Sequence, residues 1–331
     1  MVGAVVLVAG FAAADALRGP ARTVEAAPTE TGQTGPTRLP SPEPPAEAPD
    51  GWPSGTLAGS LVFTDAEGCR VRAVRLATGR ELSLARFTGT CELWAAPAGQ
   101  RVAYGLGPSS ADGFVPFKLA DLGAPELELG GYRALFGVVL WSQDGERVAW
   151  CGRARIGFDL VPGGPARRLP RCPAAYTLDG RIAYAVGNEL IVDDEVVLRA
   201  EGGITYVQFG MDGSVAVVVD GETIERWEGD RLTGAARIPA ALQGRTPVFR
   251  PDNCAAALPP QEDFGRIGLV DLGCVDRLRD VSILGRDAAW SPDGAWLAFA
   301  AEDAIFIRRL VGPEQVVRWP ATAVELAWRP D

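Results

Sequence analysis

Residues 289–300 read AWSPDGAWLAFA. A polar Ser-Pro-Asp-Gly centre between two apolar runs is either a loop that carries chemistry or the tight turn of a hairpin. Asp and Gly tolerate positive φ, and Asp-Gly between apolar runs is the strongest short hairpin signal because the resulting turn matches strand twist. The echoes of this stretch decide between the two readings. WSQDGERVAW at 141–150 aligns without gaps with WSPDGAWLAF at 290–299. Weaker copies keep an aromatic residue, a turn with Asp or Gly, and a short apolar strand: WAAPAGQRVAYGL from Trp94, YTLDGRIAYAV from Tyr176, FGMDGSVAVVV from Phe209 and FRPDNCAAAL from Phe249. WRPD from Trp328 breaks off inside the turn. Self-similarity at a period of roughly 40 residues marks a repeated structural module rather than a unique loop.

Each unit reads as four strands. In the best copy these are 287–290, 296–301, 304–310 and 315–319. Four antiparallel strands cannot cover both of their own faces, but stacked radially they can. The motif at Trp328 supplies a first strand without a successor, and GSLVFTD at 59–65 looks like a second strand without a predecessor. Residues 59–87 and 323–331 therefore form one composite blade, which hides both sheet edges. The motif count predicts an all-β fold, a seven-bladed β-propeller over residues 56–331, with six or eight blades as alternatives.

The Trp-Ser-Pro-Asp-Gly turn followed by Leu-Ala-Phe resembles the WD40-like, TolB-type (PD40) propeller repeat, over essentially residues 56–331. The resemblance implies a propeller closed by strands from both ends of the domain. It implies a protein-binding, sensor or scaffold role, and it carries no catalytic residue to transfer. TolB has an additional N-terminal α/β domain where this chain has a spacer, so no role in the Tol system is implied.

Composition agrees with a β-rich body: 331 residues with 40 Gly and 26 Pro supply many turns. The formal net charge of −10 repels nucleic-acid phosphates, and no nucleic-acid partner is expected. Of the basic residues only Lys118 is lysine, which reads as codon bias. Histidine is absent, which removes Ser-His-Asp and Cys-His nucleophilic machinery and the usual zinc sites.

Residues 1–17, MVGAVVLVAGFAAADAL, are apolar apart from Asp15. Segment 1–18 reads as a hydrophobic helix that anchors the chain in a membrane, at the bottom of the range for a span, for which about 20 residues is typical, or as a signal segment cleaved near Ala12–Ala16. Residues 19–55, rich in Pro, Glu, Thr and Ala, read as a disordered linker. This order predicts a single-pass protein of a bacterial cell membrane with an extracytoplasmic, monomeric propeller; a secreted or periplasmic protein is the alternative.

The six cysteines fall into three near-neighbour couples, Cys69 and Cys91, Cys151 and Cys172, and Cys254 and Cys274, 22, 21 and 20 residues apart. Behind an export signal such couples suit disulfides. Buried free thiols are the alternative, and zinc is disfavoured by the absence of Cys-x-x-Cys spacing.

Two acidic clusters, Asp193-Asp194-Glu195 and Asp220, Glu222 and Glu225, are read as solvated turns, although a glycosidase-like pair is recognised only by its separation in space. The turn aspartates Asp144, Asp179, Asp212, Asp252 and Asp293 are spread round the ring and read as turn formers, and Trp141, Trp150, Trp290, Trp296 and Trp328 as packing between blades. No phosphate-binding loop or Gly-x-Ser-x-Gly elbow occurs. The expectation is a non-enzymatic binding or scaffold module without metal or cofactor, its protein partner unspecified. A sensor domain of a membrane signalling protein (anti-sigma or kinase-like) and a carbohydrate-active hydrolase are the alternatives.

Overall fold

A computed structural model describes residues 52–53, 55–65, 70–86, 93–97, 101–105, 114–121, 124–135, 139–152, 155–162, 164–260, 264–274, 278 and 283–330. Contacts divide the chain into units 1–41 and 42–331, the first outside the described residues. The hydrophobic segment 1–18 and the spacer up to residue 51 also lie outside them, as do Cys69 and Cys91.

The described chain has no α-helix and forms seven four-stranded antiparallel sheets. In chain order they are blade I (93–135), II (139–169), III (175–199), IV (204–237), V (248–285), VI (288–319) and VII (326–329 with 60–86). The repeat that opened the sequence is the first hairpin of blade VI, strands Ala288–Trp290 and Trp296–Ala300, followed by Ile305–Arg309 and Val316–Trp319. These bounds fall within one residue of those read from the sequence.

Every aromatic motif residue ends or nearly ends the first strand of its blade, and these first strands are innermost. Neighbouring first strands touch from VII to I, I to II, II to III, III to IV, V to VI and VI to VII. Between IV and V, Tyr206 stacks on Phe249 at 5.9 Å. The circle is therefore complete, with seven members.

Closure is covalently split as the sequence requires. Leu326–Arg329 pairs antiparallel with Ser60–Thr64, Leu61 opposite Trp328 and Phe63 opposite Leu326. Gly59 sits where these strands begin to pair, at φ 86°, and a Cβ there would collide with the Arg329 carbonyl. Trp52 belongs to this packed region although it lies in the stretch read as spacer: its indole donates to Leu76 O (2.8 Å) and stands edge-on to Trp319 at 5.3 Å.

The cores lie between blades rather than within them. In strand Trp296–Ala300, Trp296, Ala298 and Ala300 pack toward blade VII, while Leu297 and Phe299 pack toward blade V. Blade IV repeats the pattern: Val215, Val217 and Val219 face III, and Ala216 and Val218 face V. A strand buried on both sides is apolar throughout, which is why WLAFA and VAVVV show no polar alternation. Two disulfides pin loops to this frame. Cys254 joins Cys274 within blade V (Cα–Cα 5.4 Å), and Cys151 at the end of the second strand of II joins Cys172 in the loop leading to III (4.8 Å).

Candidate interaction surface

Strand alternation places the first–second and third–fourth turns of every blade on one face, called the turn face below, and the other connections on the opposite face. The repeated turn is a local hydrogen-bonded unit. In blade VI the Ser291 hydroxyl donates to Asp293 Oδ1 (2.5 Å), the Trp296 amide donates to Ser291 Oγ (2.9 Å) and the Ala295 amide to Asp293 Oδ1 (3.0 Å). Gly294 supplies the positive φ of 68°. Ser142, Asp144 and Gly145 repeat it in blade II, and Thr177, Asp179 and Gly180 in blade III. The Ser142 hydroxyl, helped by the Glu146 amide, holds the Asp144 carboxyl below its ordinary pKa. In blade V the Gly is replaced by Asn253, which adopts φ 55° itself. The five turn aspartates are thus engaged in building turns, one in each of blades II to VI.

Side chains from these turns stitch blade to blade. Trp141 Nε1 donates to Trp94 O and Trp290 Nε1 to Val248 O, both at 2.9 Å, each reaching back to the preceding blade. Arginines reach forward to carbonyls of the next turn: Arg101 to Gly145 (3.3 Å), Arg147 to Gly180 (2.7 Å), Arg226 to Asp252 (3.2 Å) and Arg329 to Ala96 (2.9 Å). The arginine-for-lysine bias therefore has a structural use, because a planar guanidinium can bind a carbonyl and a carboxylate together. In blades I and II the reaching arginine closes the turn itself, in Gly-Gln-Arg and Gly-Glu-Arg, whereas Arg181 at the same place in blade III pairs with Asp179 and Asp193 of its own blade.

The densest such node joins blades II and III. Asp159, 5% exposed, accepts from Arg147 Nε and Nη2, from Arg167 Nη2 (2.8 Å) and from the Tyr176 hydroxyl (2.7 Å). Burial works to raise the Asp159 pKa, but the Arg147 and Tyr176 donors outweigh it and hold the carboxyl below its ordinary value. Burial, and then the Asp159 carboxylate, push the Tyr176 hydroxyl up. At the seam of VI and VII, burial raises Asp287 to about 6 against the amides of Leu326 and Ala288, the former donating to Oδ2 at 2.7 Å.

The two acidic clusters do not converge. Asp193 and Asp194 form a hairpin tip on the turn face, both in the left-handed region at φ 50° and 65°, with Glu195 exposed beside them. Asp220 and Glu222 lie on the opposite face, where Asp220 accepts from the Gly203 amide (2.8 Å) and Glu222 pairs with Arg237. Glu225 differs from the solvated turn expected of it: it is buried in the third strand of blade IV, accepts from Trp227 Nε1 (3.0 Å), and burial raises its pKa. Among the described residues no three His, Cys, Asp or Glu side chains are grouped so as to hold a metal ion.

Of the ten exposed large apolar side chains among the described residues, four stand at turns on the turn face of blades II to IV, while others, Leu284 and Val316 among them, lie on blades V and VI. Met211 is 66% exposed, Val161 55%, Leu232 45% and Leu178 43%. Leu178 and Met211 occupy the same repeat position, the residue before the turn Asp, in adjacent blades. Pro251 and Pro292 continue the row in V and VI, Gln143 ends it in II, and the Met211 amide donates to Pro251 O (2.7 Å). These residues were not singled out in the sequence, where the readable sign was an apolar residue in a turn built otherwise of polar ones.

No protein-family model matches this chain, and no curated protein matches it. Among solved structures, the β-propeller domain of Cps50 (Swd1) from Myceliophteria thermophila is 13% identical, covering 73% of this chain and 91% of that one, with a TM-score of 0.45. TolB from Acinetobacter baumannii is 13% identical, covering 84% of this chain and 68% of that one, with a TM-score of 0.44. The fold is established by strand order and closure within this chain: it is a seven-bladed β-propeller whose last strand completes the sheet begun by its first.

Proposed function

We propose that the protein is an extracytoplasmic, non-enzymatic scaffold held at a bacterial membrane by residues 1–18, and that it binds a protein partner through its turn face. The row of exposed apolar residues on that face carries the reading. Loops on a rigid frame are where recognition resides, and large apolar side chains gathered on one such face mark an interaction site more than scattered ones do. The disulfides within blade V and between blade II and the loop before III support the location, since such bonds persist in oxidising compartments.

Thiol trapping in intact cells tests the location. Cys254 and Cys274 are expected to resist a maleimide until a reductant is added; labelling without reductant would place the propeller in a reducing compartment and overturn it. A reporter that works only outside the cytoplasm, fused after Asp331, is expected to be active.

A further inference from the structure

Resting on that reading, we infer that the turn face of blades III and IV is a docking site for a basic protein segment that carries apolar side chains. Three observations converge there. Leu178, Met211 and Leu232 project apolar groups from three turns of two adjacent blades, each at least 43% exposed. These three turns, residues 177–181, 210–214 and 228–231, together with the hairpin tip 193–195 of blade III, hold seven carboxylates against Arg181 and Arg231, with Arg226 reaching in from beneath. Asp194, Glu195 and Asp230 are exposed and make no ion pair among the described residues, so their charge is not neutralised within the blade.

The platform under these side chains is rigid. Arg226 has a side chain only 8% exposed, and it ties Asp212 (2.6 Å), Glu228 (2.5 Å) and the Asp252 carbonyl together. Asn253, fully buried, donates to Gln208 O and to Ser214, which fixes the turn of blade V against that of IV. Apolar groups held on a fixed frame lose little conformational freedom on binding. Charges at their rim select the sign of the partner and quicken encounter. An acidic rim opposes a second copy of the same face and an anionic surface alike, and it fits guanidinium or ammonium groups flanking an apolar anchor. Blade II is excluded from the site, because the exposed Arg167 and Arg168 lie on the strand that follows Val161.

The experiment uses the full chain in detergent and three synthetic probe peptides of equal length, one alternating Arg and Leu, one Glu and Leu, one Arg and Ser, with fluorescence anisotropy as readout. The Arg/Leu peptide is expected to bind, and the other two about tenfold more weakly or not at all. Met211→Ser with Leu178→Ser, and separately Glu195→Gln with Asp230→Asn, are each expected to weaken it about tenfold. Binding should fall as salt rises to about 0.5 M. Asp194→Gly relieves a left-handed aspartate, so it is expected to raise Tm while weakening binding, which a structural role alone would not do. Absence of Arg/Leu binding, or binding unchanged in both pairs of variants, overturns the inference. If the Glu/Leu peptide binds instead and Met211→Ser abolishes it, the scaffold reading stands and the basic partner is wrong. If a photo-crosslinker at position 211 also gives no adduct in cells, the scaffold reading fails with it. A dimer in sedimentation that Met211→Ser dissolves would assign the face to a second copy and overturn the inference.

Discussion

Replacing Asp159 by Ala tests whether junctions between blades, rather than sheets themselves, set the stability of this ring. Its carboxylate is 5% exposed, and it is the common acceptor for two arginines and a buried tyrosine. Arg167 is 65% exposed, so its pair is worth no more than about 1 kcal/mol and its loss is absorbed by water. Arg147 is 29% exposed and also bound to Gly180 O, and it would keep a desolvated charge without its counter-ion; breaking such a pair costs about 3 kcal/mol. The Tyr176 hydroxyl would lose its acceptor, which adds about 1 kcal/mol. Asp159→Ala should therefore cost about 3–4 kcal/mol, a large part of the roughly 5–15 kcal/mol that holds a domain folded. Tyr176→Phe should cost about 1 kcal/mol and Arg167→Ala less than that. Urea unfolding at neutral pH gives the three values, provided the slope m is unchanged. The carboxyl lies below its ordinary pKa when folded, so its contribution is complete above the unfolded value of about 3.9 and disappears as pH falls through the folded one. The gap between wild type and Asp159→Ala should narrow accordingly in acid. A loss below about 1 kcal/mol, or an Arg167→Ala cost equal to that of Asp159→Ala, would refute the reasoning.

Asp287 has the opposite sign. Its pKa is raised to about 6, so the stability it contributes is complete below about 3.9 and falls away as pH rises to the folded value. Asp287→Asn should raise Tm at pH near 8 and leave it unchanged near pH 4; a gain at both would show that charge is not the cause. Within the repeated turn, Ser291→Ala should cost more than Asp293→Ala, about 2 against about 1 kcal/mol, because it strands the buried Trp296 amide while the Asp293 carboxylate meets solvent. Equal costs in thermal melts would mean that the turn is held by its backbone alone.

Blade number and the composite seventh blade were legible because the hairpin turn repeats its chemistry: Ser, Asp and Gly at 291, 293 and 294 do the same work as at 142, 144 and 145. Strand bounds in blade VI were legible for the same reason. Junction chemistry was not, since Arg147 and Asp159 are 12 residues apart in the chain and meet Tyr176 only when two blades are packed. Glu225 was misjudged because its neighbours in sequence, Glu222 and Asp220, do lie in a solvated turn, whereas pleating turns Glu225 inward. Met211 and Leu178 escaped notice because an apolar residue in a turn is silent until its exposure is known.

The composite blade also fixes an order of events. Trp328 Nε1 donates to Ala58 O across 270 residues of chain. Bringing such distant segments of the unfolded chain together costs on the order of 5 kcal/mol of chain entropy, more than pairing within any of the other six blades requires. Strand Leu326–Arg329 is also synthesised after the other twenty-seven. Until that strand pairs, Ser60–Thr64 presents one unpaired edge, of the kind that invites pairing with another chain. Closure by Leu326–Arg329 is thus also a protection, since it covers the one edge of blade VII on which a foreign strand could otherwise add.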